Sequence, residues 1–140
     1  MIKVKELRIG NKVIYNNAKI IVSGTMLNKL TFGDYIINMD TDKAVSISNI
    51  FPIDFSQNIS ILHQIGFHKF QDDIFNGENY WKDDKENIVI SLDNKKYSFY
   101  EYDGMILHNP SGLKQCTYLH LLQNQYYFMT GNELDVSQVK

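Results

Sequence analysis

The chain has 140 residues, 44% of them hydrophobic and 21% charged, with a net charge of −2; that length holds one ordinary domain or two very small ones, with a core that needs no staples. A single cysteine, Cys116, excludes an internal disulfide and a multi-cysteine zinc site and points to a reducing compartment, the cytoplasm. Only one of the fourteen basic residues, Arg8, is an arginine, an inventory that argues against dedicated duplex recognition, where bidentate arginine contacts dominate.

The opening residues, MIKVKELRIGNKV, alternate charge with aliphatic side chains and offer no apolar run of a secretion signal; no later run reaches the roughly 20 residues of a membrane span, so no membrane role is expected. Next, NKVIYNNAKIIVSG places Val13 to Tyr15 and Ile20 to Val22 either side of Asn16 and Asn17, which tolerate the positive φ of a tight hairpin. DYIINMD and AVSISNI supply two more strands across the polar TDK. The first 52 residues are therefore expected to form an SH3-like small β-barrel or a strongly bent antiparallel sheet.

Pro52 punctuates the strand region and marks the expected boundary between a β subdomain, 1–52, and a second subdomain, 53–140. FSQNISILHQIGF predicts a short helix with Ser56 as N-cap, Ile59, Leu62 and Ile65 inward, and Gly66 at its end. From Phe67 the period returns to two, in NYWK, NIVISL and KYSFYEY, with DNK as the hairpin turn between the last two and DGMIL as a further strand. An antiparallel sheet with a packed C-terminal helix completes an α+β protein.

That helix is YLHLLQNQYYFMTGNEL. At about 100° per residue, Tyr118, Leu119, Leu122, Tyr126 and Met129 share an arc of roughly 100°, the width of a face buried on a sheet. His120, Gln123, Asn124 and Tyr127 follow the i, i+3, i+4, i+7 rule on the far side, and Leu121 and Phe128 form a small apolar flank. No Asp, Glu, Lys or Arg lies between Cys116 and Gly131. A neutral, amide-rich face loses less on desolvation than a charged one, so these six residues are the candidate binding surface. Trp81, the only tryptophan, beside Tyr80 in a run of mixed charge, is a further candidate anchor.

Catalytic patterns are weaker. Asp93, Asn94 and Lys95, with Asp72, Asp73 and Asp84 upstream, match the acidic-x-Lys spacing of metal-dependent nucleases, but they fall where turn chemistry is expected. His63 and His68 are five apart and His108 and His120 are scattered, so no converging metal-ligand set is expected. Cys116 reads as a small buried hydrophobe rather than half of a cysteine–histidine dyad. Neither a phosphate-cradling glycine loop nor any cofactor motif is present, and the expectation is a protein that is not an enzyme and carries no cofactor. A second function class is a single-stranded nucleic-acid module, with tyrosines for stacking and Lys12, Lys19 and Lys29 along the backbone path.

Three segments, ELRIGN (Glu6 to Asn11), FPIDFSQNISILHQIGF and YLHLLQNQYYFMTGNEL, resemble the signature blocks of a family of small proteins carried by bacterial phages, prophages and other mobile elements. In the last block Tyr118, His120, Leu122, Gln123, Asn124, Tyr126, Thr130, Gly131, Glu133 and Leu134 fall on the pattern; SQNISILHQ lacks the acidic pair and tryptophan usual in the middle one. By analogy of origin the resemblance implies an accessory protein that binds and blocks host machinery in the bacterial cytoplasm, as anti-CRISPR proteins do with RNA-guided nucleases, the RNA-targeting type VI enzymes among them. The expected partner is a host protein or ribonucleoprotein, with direct nucleic-acid contact secondary.

Overall fold

The computed structural model describes residues 2–28, 33–69, 78–82, 88–93, 96–102, 107–108 and 117–140, a few of them by backbone alone. It is an α+β fold whose sheets are antiparallel. The chain divides into two compact units, the first comprising Met1–Asp54, Tyr118–Phe128 and Lys140, the second Phe55–Thr117 and Met129–Val139.

In the first unit the Asn-Asn signal does what its chemistry allows. Asn16 and Asn17 take φ of 50° and 62°, the paired left-handed conformation of a two-residue hairpin turn, and set β1 (Lys12–Tyr15) against β2 (Ala18–Asn28) with Tyr15 opposite Ala18 and Val13 opposite Ile20. β3 (Gly33–Asn38) pairs with β2. The turn into β4 (Ala44–Ser46) is held by Asn38, whose side-chain oxygen accepts from the Asp40 amide at 3.0 Å, and by Asp42 at a φ of 56°, as Asx turns favour. β5 (Ile50–Phe51) returns to β1, giving the order β4-β3-β2-β1-β5. Alternation puts Val13, Ile20, Val22, Ile36, Val45 and Ile50 into one cluster with Ile2.

The antiparallel-sheet expectation therefore holds, and no closed barrel is seen among the described residues: β4 and β5 end the sheet at opposite edges, and no described pairing joins them.

In the second unit α1 (Ser60–Gln64) starts later than expected. Ser56 is not its cap; Ile59 stands at that position without a side-chain bond, while the Ser60 hydroxyl donates to Asn58 Oδ1 at 2.6 Å. Ile61, Leu62 and Ile65 are buried, and Gly66, at a φ of +98°, ends the turn as an L-residue could not without strain. β6 (Phe67–Lys69), β7 (Glu78–Lys82), β8 (Ile88–Asp93), β9 (Lys96–Tyr102) and β10 (Leu107–His108) follow as a meander in the order β10-β9-β8-β7-β6. Asp93, expected in the DNK turn, is instead the last residue of β8 and pairs with Lys96, while Asn94 and Lys95 lie outside the described residues. Every β8 side chain from Ile88 to Leu92 is buried, Ser91 included, so this strand is covered on both faces rather than on the single face its alternation suggests. Phe55 packs edge-on against Tyr97, ring centres 5.4 Å apart.

α2 (Leu119–Thr130) departs from expectation in its company. Expected on the second sheet, within a 53–140 subdomain, it groups through Phe128 with the first unit. The Leu119 amide donates to Ile53 O at 2.8 Å, and Tyr118 forms an isolated bridge with Asp54. Its buried positions are Leu119, His120, Leu122, Gln123 and Tyr126, so the inward face is rotated to include polar residues expected outside. Gly131, at a φ of +74°, follows the last turn.

Candidate functional site

The segment that α2 meets is the ELRIGN block. Val4–Glu6 makes a single 3-10 turn, then Arg8 to Asn11 turns again, with the Asn11 amide donating to Arg8 O at 3.0 Å and Gly10 at a φ of +93°, the positive φ that a type II turn requires at its third position. Asn11 Oδ1 accepts from the Arg8 amide at 2.7 Å. The turn is joined to β2 by Gly10 N–H to Val22 O at 2.8 Å and Val22 N–H to Asn11 O at 2.9 Å. It leaves several backbone groups facing the helix.

The helix amides satisfy them. Gln123 Oε1 accepts from the Lys12 amide at 2.9 Å and Gln123 Nε2 donates to Gly10 O at 2.9 Å. Asn124 Nδ2 donates to Glu6 O at 2.6 Å, while Asn124 Oδ1 accepts from Asn11 Nδ2 at 2.9 Å and Arg8 Nε at 3.2 Å. Arg8 also donates to Gln123 O at 3.4 Å and holds its guanidinium 4.3 Å from the centre of the Tyr127 ring, within cation–π range. Buried polar groups demand partners, and here each partner belongs to the same chain.

His120 is the exception. Its ring is 0% exposed, stacks on Tyr118 with centres 5.9 Å apart, and has no hydrogen-bond partner at either nitrogen. Nε2 lies 3.8 Å from Glu6 Oε2, close enough for Coulomb attraction but too far for a hydrogen bond. Burial pushes the imidazole below its ordinary value of 6.5, and the Glu6 carboxylate pulls the other way without overcoming it.

The expected binding surface is thereby split. His120 and Gln123, at 0% and 1% exposure, are interior and unable to touch a partner, and Asn124 is half-buried with its amide committed to Glu6, Arg8 and Asn11. The absence of charge had been a sound sign of desolvation; the surface that desolvates it is the chain's own amino-terminal segment. Tyr127, 43% exposed, and Phe128, 82% exposed, remain on the outside, with Leu121 half-buried on the same flank and Ile9 exposed next to Arg8 in the chain. Sequence reasoning missed Glu6, Arg8, Gly10 and Asn11 as the groups the helix binds. The available signal was the pairing of an amide-rich, charge-free helix with one glycine–asparagine turn far away in sequence.

Other candidates fall elsewhere. Trp81 is placed in β7 opposite His68 and Val89, its side chain outside what is described. Cys116, Asp72, Asp73, Asp84 and Lys29 also lie outside the described residues. Lys12 is buried, so it cannot line a backbone path for nucleic acid. Among the described residues no three His, Cys, Asp or Glu side chains gather as metal ligands, and no helix is long and apolar enough to cross a membrane.

Comparison with known proteins adds nothing to this geometry: no family model, no curated protein and no solved structure matches the chain.

Proposed function

We propose that the protein is a stoichiometric, non-enzymatic binding protein of a phage or other mobile element that inhibits a host-defence system, the foremost candidate being an RNA-guided nuclease of the host cytoplasm, including the RNA-targeting type VI class. One observation carries the placement of its docking surface: the outer end of α2 presents Phe128 and Tyr127 to solvent beside Arg8, whose guanidinium lies over Tyr127. Aromatic and arginine side chains dominate binding hot spots, and Phe128 contributes little to its own fold at such exposure. The resemblance of the ELRIGN and YLHLLQN blocks to mobile-element proteins supports the class of partner. On this reading the N-terminal sheet is SH3-like in curvature and serves as the platform that fixes α2.

The test is inhibition. Purified protein added to the host's RNA-guided nuclease stops target cleavage at one-to-one stoichiometry, and Phe128→Ala and Tyr127→Ala lose that inhibition with unchanged melting temperatures. Full inhibition by both variants removes this surface, and cleavage unaffected by the parent protein removes the nuclease as target.

A further inference from the structure

Two histidines that look unrelated in sequence are brought ring to ring in the second unit. His63 stands in the last turn of α1, and His68 sits in β6, the end strand of its sheet among the described residues. Between them the chain reverses through Gly66, with Ile65 and Phe67 buried on either side as anchors. The imidazole centres are 6.0 Å apart with ring planes inclined at 42°, and the His63 ring is braced edge-on by Tyr80 at 6.3 Å. Both histidines are exposed, so rotation about χ2 can bring a nitrogen of each ring to face the other.

From this juxtaposition we infer a surface site for one transition-metal ion, with His63 and His68 as its protein ligands and water in the remaining positions. The spacing supports it. An ion about 2.0–2.1 Å from a nitrogen of each ring holds the ring centres up to roughly 6.5 Å apart, and the observed 6.0 Å lies inside that limit. The backbone arrangement is already paid for by the packing of Ile65 and Phe67, so binding an ion has only two side-chain rotors to order.

The donor set also selects the ion. No Asp, Glu or Cys among the described residues joins the pair to make a third ligand. Lys82 lies beside the turn, its ammonium 3.4 Å from where a Cβ on Gly66 would stand, and Lys69 follows His68. Neutral nitrogen donors without a carboxylate suit Cu2+, Ni2+ and Zn2+, with Cu2+ the tightest. Mg2+ and Ca2+, which require oxygen ligands, find no carboxylate among the described residues to hold them here.

Calorimetric titration of the full-length protein with Cu2+ and separately with Zn2+ tests the site. The expected result is one saturable equivalent, Cu2+ tighter than Zn2+, with His63→Gln and His68→Gln each weakening binding at least about tenfold, since even a supporting partner of a ligand is worth 10–100-fold. Paramagnetic Cu2+ added to the unmodified protein broadens the imidazole resonances of His63 and His68 before any other histidine, a readout that no folding defect can imitate. Absence of a saturable equivalent, unchanged affinity in both variants, or first broadening at His108 or His120 overturns the proposal.

Discussion

Gln123 is worth more to this protein as a glutamine than any hydrophobe of the same size would be. Its oxygen and nitrogen close one buried donor and one acceptor, the Lys12 amide and the Gly10 carbonyl. Leaving a buried polar group without its partner costs about 1–3 kcal/mol. Gln123→Leu is therefore expected to destabilise the protein by about 2–4 kcal/mol, read from urea denaturation, whereas Phe128→Ala shifts the midpoint by under about 0.5 kcal/mol because exposed positions rarely matter to stability. His120 makes a prediction in pH. Its folded-state value lies below the ordinary 6.5 of an unfolded histidine, so the unfolded chain binds the proton more readily and stability rises with pH across that interval. Stability is complete above about pH 6.5 and falls as pH drops through the folded-state value. Glu6→Gln removes the one influence raising that value, so the acid-side loss becomes larger. An imidazole titration followed by NMR checks both, and a His120 midpoint at or above 6.5 contradicts the sign.

At the scale of elements, two turns carry positive φ for different reasons. The β1–β2 hairpin depends on Asn16 and Asn17, and Asn16→Ala is expected to cost about 1 kcal/mol, since alanine enters the left-handed region only at that order of penalty. Gly10 has open space around the position of a Cβ but a φ of +93°. Gly10→Ala therefore strains the ELRIGN turn through its backbone alone, and the melting temperature falls by several degrees, as about 1 kcal/mol does in a chain of this size. These local signals were legible: the asparagine pair, the terminal Gly66, and strands of period two each rest on nearest-neighbour chemistry. Ser56 was misjudged because a capping side chain competes with where the helix is first packed, and Ile61 and Leu62 start that packing later. The inward face of α2 was misjudged for a related reason. Periodicity reports which side chains are apolar, whereas Gln123 is buried through hydrogen bonds to Gly10 and Lys12, more than a hundred residues away in sequence, and His120 is buried against Tyr118 with Glu6 facing it.

At the scale of the molecule, the amino-terminal sheet and most of α2 belong to one unit although some sixty residues of sequence separate them. Tyr118–Phe128 groups with Met1–Asp54, and the amide network is what makes a helix so distant in sequence part of the first sheet's neighbourhood. The first unit's amino-terminal segment ends at Asp54; the return of the helix to it was not legible, since composition carries no record of long-range pairing. The same fact sorts the two candidate faces of α2 into one that holds the fold and one, Tyr127 and Phe128, that stays exposed to solvent. Amide hydrogen exchange tests that division most directly. The Lys12 amide, bonded to the Gln123 side chain, should be protected in the parent protein and lose that protection in Gln123→Ala, together with its neighbours in the ELRIGN turn. A Lys12 amide that exchanges freely in the parent, or stays as protected without the glutamine, contradicts the account.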